Sequence, residues 1–344
     1  MAEKEIRVLR LHGPGRLELH REGAPRAAEE ESVLAVGAVG VCGSDLHWFR
    51  SAGIGDDRLR RPLVLGHEFA GRVREGPLRG RRVAVEPAIN CGFCEFCLRG
   101  DPNLCAHIRF AGHDRQDGAL RDEMAWPSRL FFPLPDGLTD SDGAMLEPLG
   151  VALHAVDLSG LRPGMSAGVF GCGPIGLLIL QVARLAGAVR IVAMDPLAHR
   201  REAARELGAS RVVSVSDGEP AADMTAGEGG DQLDVVFEAA GENAAVEAAV
   251  RSVRPGGRVL VVGIPEEDRT CFSASTARRK GVTLVVVRRM KHTYPRAIRL
   301  VERGLVDVRS LVTHRYPLER ASEAFETAAR REGLKVMILP GGGG

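Results

Sequence analysis

Apolar residues recur in two rhythms along the chain, and the change from one to the other divides it. Up to about residue 150, short apolar runs are broken by Gly, Pro and charged turns: IRVLRLH (6–12), RLELHRE (16–22), SVLAVGAVGV (32–41), FAGRVRE (69–75) and RRVAVEP (81–87). Runs of this length bounded by turn formers predict strands, and their spacing predicts an irregular, mostly antiparallel β domain. From about Ser166 the pattern changes to strands alternating with helices. The strands are SAGVF (166–170), RIVAMD (190–195), RVVSV (211–215), DVVFEAA (234–240) and RVLVVGI (258–264). Between them, PIGLLILQVARLAG (174–187), HRREAARELG (199–208) and ENAAVEAAVRSV (242–253) have helical length and composition, with Gly187 and Gly208 placed as stops. That alternation predicts a doubly wound parallel sheet with crossover helices. After TLVVV (283–287), a helix (294–304), an extended segment (310–317), a second helix (319–330) and a last strand (334–340) are expected to return to the first domain. The fold class is therefore α/β in two domains, one formed by 1–150 with 288–344 and the other by 151–287.

Composition narrows the function classes. The chain has 344 residues, 44% hydrophobic and 26% charged, with a formal net charge of +1. Near-zero charge gives no overall field toward nucleic acid or an anionic membrane. The start, MAEKEIRVLRLHG, lacks an apolar signal core, and no run reaches the roughly 18 uninterrupted apolar residues of a membrane span. A soluble cytoplasmic protein is expected. Of seven cysteines, four crowd between Cys91 and Cys105, a spacing that suits a metal better than a disulfide framework.

Gly171-Cys-Gly173-Pro174-Ile175-Gly176 follows a predicted strand and opens a predicted helix, the context that makes G-x-G-x-x-G informative. Its glycines permit a tight turn and close approach of the backbone to a pyrophosphate, which meets the unpaired N–H groups of the helix start. Asp195 closes the next strand about 20 residues on, where a carboxylate accepts hydrogen bonds from the adenosine ribose and repels a 2′-phosphate. That favours NAD over NADP, although Arg200 and Arg201 lie close enough in sequence to receive a phosphate. Val262, Gly263 and Ile264, which close a later strand, are assigned to the same cofactor site.

Cys91, Cys94, Cys97 and Cys105 can close a tetrahedral zinc site with no open position, which braces a lobe at about 88–108 and takes no part in chemistry. Arg99 and Arg109 are the nearest cations to offset its excess negative charge. Two further segments carry metal-ligating types: Val41-Cys42-Gly43-Ser44-Asp45-Leu46-His47 and Leu65-Gly66-His67-Glu68. Taken singly, Cys42 reads as a small buried hydrophobe and His67 as a satisfied core imidazole.

Together, GVCGSDLHWF, PLVLGHEFAG, CGFCEFCLRGDPNLC, MLEPLGVALHA, GCGPIG and LVTHRYPLERASEAFETAARREGLKVMIL resemble the zinc-containing medium-chain dehydrogenases, most closely the sorbitol dehydrogenases, nearly end to end. The resemblance implies a GroES-like catalytic domain beside a Rossmann domain, and oxidation of a secondary alcohol by hydride transfer to NAD. It implies that Cys42, His67 and Glu68 are catalytic zinc ligands and that Glu147 ligates the metal or holds its water. Relatives acting on simple alcohols carry Cys at that last position, so Glu147 points to polyols. Ser44 and His47 match the proton-relay positions, an imidazole being the side chain that exchanges protons near neutrality. Asp45 is expected to orient the ligand histidine. Ser44, Trp48, Glu147 and Arg289 are the expected substrate contacts.

Chemistry supplies an independent reason for the set, because zinc with three protein ligands keeps one position for substrate and acts there as a Lewis acid. One thiolate and one carboxylate already neutralise Zn²⁺, so engaging both Glu68 and Glu147 leaves the shell negative, and which of them ligates at rest stays open. Met290 stands where sorbitol dehydrogenases carry Tyr, which removes a polar contact. Arg288 and Lys291 add charge that suits a sugar acid, while a polyol or cyclitol also fits. The alternatives are a threonine-dehydrogenase-like or simple alcohol dehydrogenase, and a non-catalytic NAD-binding relative. The resemblance further implies a homodimer or homotetramer with a small-molecule substrate.

Overall fold

A computed structural model describes residues 4–214 and 232–341, which form two compact units, 1–147 with 294–344 and 148–293. In the first unit, the hairpin Glu5–Gly13 and Arg16–Gly23 precedes a sheet whose strands run Phe131–Pro133, Arg82–Val85, Glu68–Glu75, Glu31–Gly40, Lys335–Leu339 and Val312–Pro317. The long strand Glu31–Gly40 is the hub. One of its sides pairs Glu68–Glu75, and the other is shared by Glu123–Pro127 and Lys335–Leu339. These pairings are antiparallel, and Val312–Pro317 adds to Lys335–Leu339 in parallel. Leu34, Leu63, Leu65, Phe69, Leu120 and Trp126 are each at most 1% exposed in its core. Each large apolar side chain removed from water there contributes about 1.5–3 kcal/mol, and this holds an otherwise irregular sheet together.

The second unit carries a fully parallel sheet in the order Arg211–Val213, Arg190–Met194, Ser166–Phe170, Leu233–Glu238, Val253–Val261 and Thr283–Val286. The side on which successive strands are added reverses between Ser166–Phe170 and Leu233–Glu238, and open α/β sheets bind ligands beyond the carboxyl ends of the strands at such a point. The predicted strands and helices are present here, with Val215 of the run RVVSV outside the described residues.

Two helices that matter to chemistry escape the apolar pattern. Gly43–Ser51 is short, polar at its start, and closed by Ala52 in a left-handed conformation with φ of 48°. Leu146–Ser159 is apolar on almost every side, so it shows no stripe of period 3.6, and its Pro148 falls in the first turn, where proline lacks nothing a helix needs. Among the described residues, no helix is long and apolar enough to cross a membrane.

Candidate active site and metal centres

The sulfur of Cys42, a ring nitrogen of His67 and a carboxylate oxygen of Glu68 lie within 4.8 Å of one another. Three local features bring them there. Cys42 leaves the strand Glu31–Gly40 and caps the helix Gly43–Ser51, with its N–H donating to Asp45 Oδ2 at 3.0 Å. Gly66 turns the chain into the left-handed region with φ of 92°, and a Cβ there would lie 2.6 Å from Val39 Cγ1, so only glycine delivers His67 to this point. Glu68 then opens the strand Glu68–Glu75 opposite Gly40, where any side chain would overlap the Glu68 carboxylate.

Asp45 is 1% exposed and holds the arrangement from behind. Its Oδ1 lies 3.4 Å from His67 Nδ1 and also accepts from the Gly66 N–H at 3.4 Å. Contact at Nδ1 leaves Nε2 as the histidine atom available to a metal. Burial opposes charge at both groups, but their mutual attraction and hydrogen bonds prevail. Asp45 is held below the usual carboxylate range. His67 is pushed well above that of a free imidazole by Asp45 and Cys42. Thiolate, imidazole and carboxylate are zinc donors and converge here on one point, so the residues fit the metal.

The sequence reading overlooked Lys335. It is 3% exposed and its ammonium pairs with Glu68 Oε2. Burial disfavours its charge, yet Glu68 first and then Cys42 raise its pKa, with Glu147 adding to the effect. A lysine at the start of the apolar strand KVMIL was the available signal, since lysine is rarely buried without a partner. The negative shell expected from Glu68 and Glu147 together is thereby offset by a built-in cation. Glu147, 5% exposed in the first turn of Leu146–Ser159, stands outside the converging trio.

Ser44 and His47 are half-buried and one turn apart on Gly43–Ser51, a spacing that places both on one face. Trp48 lies elsewhere. At 1% exposure it belongs to the hydrophobic core, its ring edge-on to His113 with centroids 5.4 Å apart, so its geometry supports packing and offers a substrate no open face. In the second unit, Arg289 is half-buried with φ of 54°, and Met290 is 5% exposed.

The four sulfurs of Cys91, Cys94, Cys97 and Cys105 also lie within 4.8 Å of one another. Cys91 to Cys97 and Cys94 to Cys105 are each 3.9 Å, close to the roughly 3.8 Å edge of a tetrahedron with Zn–S bonds of about 2.3 Å. Backbone N–H groups of Cys94 and His107 donate to Cys91 and Cys105 sulfur. A backbone N–H from Cys97 lowers the Cys94 thiol to about 6, whereas burial raises Cys97 to about 12, so the four do not ionise together unaided. A cation would remove that conflict. Arg99 is not the expected counter-charge: its guanidinium pairs with Asp101 at 2.6 Å and Glu95 at 3.7 Å.

In the second unit, Gly171 follows the strand Ser166–Phe170 with φ of 89°, and a Cβ there would approach Ala240 N to 2.7 Å. A Cβ on Gly173 would meet only Arg200 Nη1, at 3.6 Å, so the turn ahead of the helix Pro174–Leu185 is open to a phosphate. Pro174, Ile175 and Gly176 form its first turn. Asp195 is 3% exposed; it accepts from the N–H of Cys172 at 2.8 Å and of Leu197 at 2.9 Å, with Arg200 3.9 Å away. Val262, Gly263 and Ile264 follow the strand Val253–Val261 at the same carboxyl edge, and Ile264 is 50% exposed. Glu238, also overlooked, is fully buried at that edge and accepts from Ala240 and Gly241 N–H. The cradle fits a dinucleotide.

Comparison with known proteins agrees with this geometry. Residues 28–136 match the alcohol dehydrogenase GroES-like domain and residues 174–303 the zinc-binding dehydrogenase domain. The chain is 37% identical over 345 residues to sorbitol dehydrogenase of Bos taurus, covering 98% of this chain and 97% of the relative. It is 36% identical over 332 residues to L-idonate 5-dehydrogenase of Vitis vinifera, covering 91% and 89%. A solved zinc-binding dehydrogenase from Sinorhizobium meliloti, bound to NADP, superposes with a TM-score of 0.90 at 29% identity, covering 98% of this chain and 100% of that one. With both units matched and the relatives aligned almost end to end, the chain belongs to the zinc-dependent medium-chain dehydrogenases of the sorbitol dehydrogenase type.

Proposed function

We propose that this protein oxidises a secondary alcohol of the polyol or sugar-acid class, using zinc held by Cys42, His67 and Glu68 and NAD as hydride acceptor. The observation that carries the reading is the convergence of those three donors, with Asp45 behind the imidazole and Lys335 against the carboxylate. Zinc bound there supplies a Lewis acid that lowers the pKa of a substrate hydroxyl. Glu68 is the resting carboxylate ligand, because it belongs to the trio and Glu147 does not. Glu147 then holds water or a substrate hydroxyl nearby. Ser44 and His47, on one face of the helix that Cys42 caps, carry the proton outward. Arg289 contacts the substrate, and the four-cysteine lobe holds a second, structural zinc.

The named activities of the relatives, on sorbitol and on L-idonate, support the substrate class. The test is NAD and NADP reduction across polyols, sugar acids, cyclitols, short alcohols and threonine, with and without a chelator. Polyols or sugar acids are expected to be turned over, and chelation to abolish turnover. Activity that survives complete removal of zinc would exclude this reading.

The buried Asp195 carboxylate favours NAD. Its replacement, Asp195→Ser, is expected to lower the ratio of kcat/KM with NAD to that with NADP by about tenfold or more, the scale of losing one hydrogen bond to a charged group. An unchanged ratio in steady-state assays would remove Asp195 from cofactor selection. A homodimer or homotetramer in the cytoplasm is our reading of the assembly. Val286, 71% exposed on the terminal strand Thr283–Val286, suits strand addition by a second copy.

A further inference from the structure

A third group of metal-ligating side chains lies on the hairpin Glu5–Gly13 and Arg16–Gly23, sharing no residue with the two centres above. His12 Nε2 and His20 Nε2 are 2.9 Å apart, and Glu18 Oε2 is 3.7 Å from the first and 3.9 Å from the second. Glu18 and His20 are two residues apart on one strand and so share a face. His12 joins them from the other strand at its register irregularity between Leu11 and Gly13. Arg16 holds the other oxygen of Glu18, Oε1, at 3.3 Å and leaves Oε2 turned toward the rings.

We propose that His12, Glu18 and His20 form an additional, exchangeable site for a zinc-class divalent ion. A tetrahedral ion with bonds of about 2.0–2.1 Å to nitrogen and oxygen spaces its ligands roughly 3.3–3.4 Å apart, a value the three observed separations bracket. Two imidazoles select zinc, nickel, cobalt or copper over magnesium or calcium. The side chains are 17%, 46% and 36% exposed for His12, Glu18 and His20, so an ion can enter from solvent and leave again. With three protein ligands, the ion keeps a position for water and ties the two strands across their turn. Without an ion, the short nitrogen–nitrogen contact is a hydrogen bond in which one ring donates to the other, and a metal taking both Nε2 atoms moves that proton to Nδ1 of the same ring.

The test compares the full wild-type chain with the double variant His12→Gln/His20→Gln, each saturated with zinc by equilibrium dialysis. Wild type is expected to retain one more ion per chain than the double variant, and this difference holds whatever the two other centres contain. Glu18→Gln, which keeps both nitrogens, is expected to bind the extra ion about tenfold more weakly. A nickel titration followed by thermal unfolding gives a second readout: nickel should raise the unfolding temperature of wild type more than that of the double variant. Equal ion counts, together with equal nickel responses, would overturn the proposal.

Discussion

Lys335→Met is expected to destabilise the first unit by about 3–5 kcal/mol, because it strands the Glu68 carboxylate in the interior without its cation. In a protein of this size the shift in unfolding temperature is on the order of 10 °C. The effect should be larger in metal-free protein, where no bound ion offsets the carboxylate, and smaller once zinc is bound. Removing both charges, in Lys335→Met/Glu68→Gln, is expected to recover most of the metal-free stability, since replacing a whole buried pair costs little. Calorimetry of the three proteins with and without chelator measures this cycle. A Lys335→Met protein as stable as wild type in both states would show that the pair does not hold the carboxylate in place.

Cys42→Ala is expected to remove one zinc per chain and to lower kcat/KM by at least about a thousandfold. That corresponds to roughly 4 kcal/mol of lost stabilisation, within the range attributed to a Lewis acid on an oxygen centre. Because Cys42 is at the edge of the core and its helix retains the Asp45 cap to the backbone, the fold should survive. Glu147→Gln is the informative companion. It should keep its zinc, since Glu147 stands outside the trio, and lose turnover instead. Zinc content measured beside steady-state rates separates the cases: loss of metal from Glu147→Gln with retention in Cys42→Ala would reverse the ligand assignment.

The chemistry was legible wherever ligands sit close together in sequence. The cysteine lobe spans Cys91 to Cys105, so its spacing alone implies a shared centre, and the glycine turn is identified by the strand before it and the helix after it. The parallel sheet was readable because its strands are buried apolar runs separated by helices. What the pattern hid was whatever depends on long-range pairing. Lys335 meets Glu68 only because Lys335–Leu339 and Glu68–Glu75 flank the same strand, Glu31–Gly40. The resemblance placed Trp48 among the substrate contacts, but its position along the helix turns it into the core. The helix Leu146–Ser159 was invisible to periodicity because it is apolar nearly all round.

The buried ammonium has a consequence for how the enzyme is made. Glu68 is synthesised well before its partner, which lies in the strand Lys335–Leu339, so the nascent first unit carries this carboxylate without its cation until that strand is made. Without metal, the compensating charge arrives when the strand Lys335–Leu339 docks beside Glu31–Gly40. A chain that stops short of residue 335 lacks this ammonium, and its Glu68 carboxylate then depends on a bound metal for compensation.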